Sequence, residues 1–419
     1  MSTEPTNLIL LSADALRADH LSCYGYCRET SPVLDELAEE SIRFTNAYSA
    51  SSHTREAVPA LLTGKFPDVA IDSKYHLATD TIVSTLSEEG FSTGGFHSNP
   101  FVSRAYGFDE GFDHFDDDLR LGQNKLLALA QRAFDKFRNR HYARAEEINE
   151  RSLDWLDSLD GDRPFFLWNH YMDTHGPYEP PGEYATLYAD HGLSDRDVQS
   201  LYQRAIDDPD SITDDERQLL IDLYDGEIRY NDMRIGEFLE ALRERGLLEE
   251  SLVIFTADHG DAFGEHGYYE HPRYLHDEIT KVPLILHAPN AGRGTVTTTV
   301  STLDIAPTLL SVVDQESGSP GDSLQEINPD GSRVVYSQAR GEDDESQFRR
   351  FAARNNATSC FATYDRTTSE INIGEEGELR DKLIKHVEAR TSGQTTISDS
   401  DQSEVNKEIE DRLSALGYK

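Results

Sequence analysis

Apolar residues in this chain come in short unbroken runs separated by longer amphipathic stretches, the rhythm of buried strands alternating with surface helices. Asn7 to Ser12 is nearly continuous in apolar character and predicts a strand buried on both faces, giving way after Ala13 to a loop that opens with Asp14. Ser92 to His97, Phe165 to His170, Leu252 to Thr256 and Pro283 to His287 predict further strands. Ser31-Pro32 followed by Val33, Leu34, Leu37 and Ile42 combines an N-cap, a proline at the first helical position and 3-4 spacing, so a helix is expected there. Thr79 to Glu88 and Leu219 to Arg245 also read as helices. This alternation predicts an α/β sheet covered on both faces.

Ligands of such sheets gather beyond the carboxyl ends of the strands. Three of the strands run directly into polar clusters, at Asp14, at His170 to His175 and at Asp258-His259, so these should meet on one rim. The pattern changes near Asp314. Residues 1-314 form the expected catalytic domain, and 315-333, rich in Gly, Ser, Asp and Glu, a loop or linker. Residues 334-419 form a small C-terminal α+β subdomain, with short strands at Val334 to Tyr336 and Cys360 to Tyr364 and a charged tail helix over Asp401 to Lys419.

Charge narrows the partners. With 78 acids against 39 Lys plus Arg, the net charge is -39, which repels nucleic acid and anionic membranes. A Lys-poor acidic surface suits a high-salt, halophilic cytoplasm, where dense carboxylates are screened. Met1 to Asn7 has no basic leader, and Leu8 to Leu11 is too short for a signal peptide or an integral membrane segment, so a cytoplasmic location is expected. Cys23, Cys27 and Cys360 make neither a zinc spacing nor a disulfide framework. The stretch Arg120 to Arg144 is locally basic and amphipathic, with its cations facing either the protein's own acids or an anionic ligand.

The segment VIFTADHGDAFGEHG, Val253 to Gly267, delivers Asp258 and His259 side by side from a strand, a pair suited to a hard or borderline cation. Taken singly, Asp14 and Asp258 would be ordinary turn residues. Together with NLILLSADALRADHLSCYGY, TSPVLDELAEESIRFTNAYS, PALLTGKFP, HYMDTHGPYEPP, VPLIL and STLDIAPTLL, this segment resembles the ordered blocks of the sulfatase family, in the alkaline phosphatase superfamily, from Asn7 to about Leu310. The resemblance implies an alkaline-phosphatase-like fold with a central mixed, mostly parallel sheet. It also implies a metal-dependent hydrolase acting on a small-molecule or glycan sulfate or phosphate ester. A phosphodiesterase, a phosphoryl- or sulfuryl-group transferase, and a degenerate anion-binding member are the alternatives. Oligomeric state stays open.

The chain departs from the family pattern in places that matter. TREAV, Thr54 to Val58, replaces the C/S-x-P-S-R motif, so no cysteine is available for formylglycine, and an ungapped match makes Thr54 the nucleophile. A helix starting at Thr54 would offer amides to an anion, although Pro59 interrupts it and Thr54 would equally serve as its N-cap. A gapped match offers Ser51 or Ser52 instead. Ala15 stands where the second aspartate of the calcium cage is usual. The implied ligands of one divalent metal ion are therefore Asp14, Thr54, Asp258 and His259, a set that admits calcium, magnesium or manganese ahead of zinc. His175 and His271 match positions that contact the ester or protonate its leaving group. His97 and Asn99 replace the GKWH block, and Arg17, Arg55 and His170 complete the expected ester contacts.

Overall fold

The computed structural model describes residues 6–118 and 142–392, apart from 162, 290, 316–317, 343–344 and 375–376. Its centre is an eight-stranded sheet. In chain order the strands are β1 (Asn7–Ala13), β2 (Ile42–Phe44), β3 (Ser92–Phe96), β4 (His114–Asp116), β5 (Phe165–Tyr171), β6 (Ser251–Ala257), β7 (Leu284–His287) and β8 (Gly294–Val296). They lie side by side as β8-β2-β7-β6-β1-β5-β3-β4, and β7 alone runs against the rest. Every residue of β1, β5 and β6 is buried, so both faces of the sheet centre are covered. That double burial is why these segments read as unbroken apolar runs rather than as an alternation.

Among the described residues the helices of seven or more residues are α1 (Pro32–Glu39), α2 (Thr54–Thr63), α3 (Ile82–Glu88), α4 (Ala145–Asp157), α5 (Asp195–Asp207), α6 (Asp214–Glu244) and α7 (Glu378–Thr391). α1 and α4 pack on α6, whereas α2 and α3 pack with the short helix Ile305–Leu310. The long helix α6 begins before the expected Leu219, because Thr213 and Glu216 close a capping box there. α1 starts at Pro32 as expected but stops at Glu39, and Ile42 belongs to β2. Ser31 holds the expected N-cap position, but its side chain makes no capping bond and its hydroxyl donates to Asp35 instead. The first turn is capped from outside by Asp232 of α6, whose carboxylate accepts from the amides of Val33 (3.1 Å) and Leu34 (2.9 Å).

Beyond the linker stands an antiparallel sheet, β9 (Val335–Arg340), β10 (Phe348–Arg354), β11 (Ser359–Asp365) and β12 (Glu370–Ile373), in that order. Leu379, Leu383 and Val387 of α7 pack over Phe351, Ala353 and Ala362 of this sheet. His386 joins α7 to the larger body, stacking on Tyr336 at 4.1 Å and meeting Phe66 edge-on at 4.9 Å. Arg390 adds an ion pair to Asp68 at 2.9 Å. The segment expected to be a linker ends at Arg333, whose guanidinium grips the buried Asp304 carboxylate at 2.7 and 2.9 Å. The expected tail helix and residues 119–141 of the basic stretch lie outside the described residues. Arg144, at the end of that stretch, pairs with Glu227 and Asp173. No helix among the described residues is long and apolar enough to cross a membrane.

Candidate functional site

The register of the central strands sets the site. Ala13 lies opposite both Tyr171 and Ala257, so the next residues, Asp14, Met172 and Asp258, leave the sheet at one level of its carboxyl edge. Backbone bonds from Asp14 N to Tyr171 O (2.8 Å) and from Asp258 N to Ala13 O (3.3 Å) hold this edge together. Asp258 then fixes the adjoining turn, since its Oδ1 accepts from the amides of His259 (2.8 Å) and Ala15 (3.2 Å). Ala15, in the place of the missing aspartate, adopts a left-handed φ of 57°.

Thr54 enters from the other side as the first residue of α2. His53, not Thr54, is the N-cap, its Nδ1 accepting from the Arg55 amide at 3.2 Å. The helix runs through Pro59 without breaking. Thr54 Oγ1 is fully buried, 3.0 Å from His259 Nε2 and 3.4 to 3.5 Å from the two Asp14 oxygens. The rival hydroxyls are placed differently. Ser51 donates to Glu56 at 3.0 Å, and Ser52 Oγ is buried without a hydrogen-bond partner among the described residues.

Ligand-capable atoms of Asp14, Asp258 and His259 all lie within 4.8 Å of one another. His259 anchors Nδ1 on Gly260 O at 3.0 Å, which turns its Nε2 lone pair toward Thr54 and the carboxylates. Neither aspartate forms an ion pair with Lys or Arg among the described residues, and Asp258 Oδ2 is buried without a hydrogen-bond partner among them. Two buried carboxylates facing each other, one with an unsatisfied oxygen, form a donor set that a divalent cation fits. Burial works against ionisation of Asp14, yet the imidazoles of His175, His170 and His259 outweigh it and hold this carboxyl well below its usual range. Asp258 moves the other way, raised by burial and then by the charge of Asp14.

Several expected ester contacts are engaged elsewhere. His170 Nε2 faces the Asp14 carboxylate at 3.2 Å and donates to it, while its Nδ1 lies 2.9 Å from Ser12 Oγ, which also accepts from Trp168 Nε1. His170 therefore braces a carboxylate rather than facing an ester. Asn99 does the same, giving its Nδ2 to Asp14 at 2.6 Å and taking the Phe101 amide on Oδ1. His97 packs against Phe115 and Trp168 within the sheet layer. Arg17 is tied to Asp19, Glu265 and the Asp261 carbonyl, so its fork is occupied by the protein's own acids. Arg55 forms no ion pair with a described carboxylate, and its guanidinium lies over the rings of Phe101 at 4.0 Å and Tyr75 at 5.0 Å.

His175 and His271 do converge on the site. Their rings are 5.1 Å apart, and His271 is 4.4 Å from His259. His175 anchors Nδ1 on Gly176 O at 2.6 Å. His271 anchors Nδ1 on Asp261 Oδ1 at 2.7 Å, while the other Asp261 oxygen accepts from Tyr178 at 2.7 Å. Burial and the neighbouring His259 push the His271 imidazole down to about 4. Asp261 and His53 were missed in the sequence, although each was within reach. Asp261 sits in the same turn as His259, and His53, 5.4 Å from the His271 ring, immediately precedes Thr54.

Comparison with known proteins bears on this arrangement. A model of the sulfatase family matches residues 6–315. YidJ of Escherichia coli K12, described as an uncharacterized sulfatase, is 26% identical over 377 residues, covering 81% of this chain and 74% of its own. An arylsulfatase of Clostridium perfringens is 26% identical over 465 residues, with 93% and 96% covered. Among solved structures, a protein in complex with its substrate D-glucosamine-2-N,6-O-disulfate superposes with a TM-score of 0.68 at 18% identity, over 92% of this chain and 98% of that one. The phosphonate monoester hydrolase of Agrobacterium radiobacter gives 0.68 at 17% identity, over 92% and 94%. These structures share the alkaline-phosphatase-like fold, and the family match over most of the chain is decisive: the protein belongs to the sulfatase family of sulfuric ester hydrolases.

Proposed function

We propose that this chain hydrolyses a sulfate or phosphate ester through a covalent intermediate on Thr54. The observation that carries this reading is the placement of Thr54 Oγ1, buried between His259 Nε2 and the Asp14 carboxylate at the tip of a helix. Asp14, Thr54, Asp258 and His259 would hold one divalent cation, which when bound lowers the pKa of a coordinated hydroxyl and neutralises ester oxygens. Thr54 Oγ1 attacks sulfur or phosphorus, the bond from that atom to the ester oxygen breaks, and the alcohol departs with a proton. Water then cleaves the threonine ester, so two inversions give net retention at the centre. His170 and Asn99 keep the Asp14 carboxylate oriented throughout. His175 and His271 are each anchored through Nδ1, so a proton passed to the leaving group would travel through Nε2. Arg55, beside the nucleophile and without a carboxylate partner among the described residues, is assigned to the anionic part of the substrate.

Within that reading a phosphorus ester is supported by the hydroxyl nucleophile in place of a cysteine and by a structural neighbour that is a phosphonate monoester hydrolase. The acidic composition leads us to place the reaction in a high-salt cytoplasm. Nitrophenyl sulfate, phosphate and phosphodiester substrates, assayed in high salt with each of calcium, magnesium, manganese and zinc, test the proposal. Turnover of one class with a metal requirement is expected. Failure of every combination would favour an anion-binding role.

A further inference from the structure

Apart from the catalytic rim, the segment after β6 gathers His266, His276 and Glu278. His266 Nε2 lies 3.1 Å and His276 Nδ1 3.9 Å from Glu278 Oε1, and the ligand-capable atoms of all three fall within 4.8 Å of one another. The two imidazoles face each other with centroids 3.9 Å apart.

Glu278 is the informative member. Its side chain is only 9% exposed, yet it has no Lys or Arg partner among the described residues. Away from the catalytic rim several buried acids are answered by arginine, Asp304 by Arg333, Glu56 by Arg273 and Glu227 by Arg144. Glu278 is met by the two imidazoles and by the Tyr268 hydroxyl at 3.1 Å, and the buried Arg354, which pairs with Asp277, acts on it only through its field. Tyr268 also bonds His276 Nδ1 at 2.6 Å, so this nitrogen makes the outer hydrogen bond that orients a ligating histidine and the ligand atom would be Nε2. His266 is 46% exposed, which leaves an open side for water to complete a coordination shell.

We propose that His266, His276 and Glu278 form a second metal site, distinct from the set around Thr54 and selective for a borderline ion such as zinc. Two nitrogen donors and one oxygen match zinc, whereas calcium and magnesium demand mostly oxygen. Because His271 and Arg273 lie between His266 and His276 in the chain, an ion here would fasten the loop that carries them.

The test is zinc titration of chelator-stripped protein by calorimetry, with excess magnesium present to occupy surface carboxylates, on wild type, His266→Ala, Glu278→Gln and Asp258→Asn. His266→Ala and Glu278→Gln should each lose one zinc per chain or bind it at least tenfold more weakly, while Asp258→Asn keeps it. Zinc binding by His266→Ala that matches wild type in stoichiometry and affinity would overturn the proposal. Loss in Asp258→Asn alone would overturn it too while supporting the Thr54 centre. Loss in His266→Ala with none in Asp258→Asn would support this site, and the catalytic centre is then judged separately by its own metal requirement in turnover. Should Glu278→Gln fail to fold, the half-exposed His266 still decides the matter.

Discussion

Acid should loosen the C-terminal helix before it unfolds the rest, and His386 sets the pH. Its ring stacks on Tyr336, meets Phe66 edge-on and lies 6.1 Å from the Phe351 ring, and its Nε2 is buried without a hydrogen-bond partner among the described residues. Burial, with Arg390 adding to it, pushes the imidazole from 6.5 down to about 4. The folded state therefore prefers the neutral ring, and the associated stability is complete above pH 6.5 and drains away as pH falls toward 4. A displacement of that size corresponds to about 3 kcal/mol at full extent. The assay is urea unfolding of wild type and His386→Phe between pH 4 and 8, where the difference between the two cancels all other titrating groups. Wild type should lose about 3 kcal/mol more than the variant across this window. A difference that does not change with pH would refute the reasoning.

Asp232→Ala strips the first turn of α1 of both capping bonds and should cost about 2 kcal/mol or more in urea unfolding at pH 6. Gly94→Ala places a methyl 2.7 Å from the Trp155 ring and should destabilise by about 1 to 3 kcal/mol, seen as a lower melting temperature. Chelation should stop turnover, and restoring the preferred divalent ion should return it without refolding, as followed by circular dichroism alongside activity.

The rim of the sheet was legible because double burial writes an unbroken apolar run, and the loop at the end of such a run stands at the carboxyl edge. Asp14, Asp258 and His259 were found this way, and the structure brings them together. The features that escaped were set by partners distant in sequence. Ser31 stands at the N-cap as read, but nothing near it announces that Asp232 will supply the bonds to the first-turn amides. His170 and Asn99 look like ester contacts until the fold places Asp14 against them. Arg17 shows the same effect, its charge consumed by Glu265 and Asp19. β10 was hidden by Arg349, Arg350 and Arg354, the last of which is fully buried against Asp277 and Thr280. Asp261, by contrast, stood in plain view in the His259 turn, and only its pairing with His271 required the structure.

The most direct test of the catalytic reading is the rate of ester cleavage by Thr54→Ala and Thr54→Ser, measured beside Ser51→Ala and Ser52→Ala on the ester that wild type turns over. Thr54→Ala should lose on the order of a thousandfold or more in kcat while its unfolding curve stays close to wild type. Thr54→Ser should retain measurable activity because the hydroxyl remains, and both serine variants should stay active. Full activity in Thr54→Ala, with loss in Ser51→Ala or Ser52→Ala, would contradict the assignment of Thr54 as nucleophile.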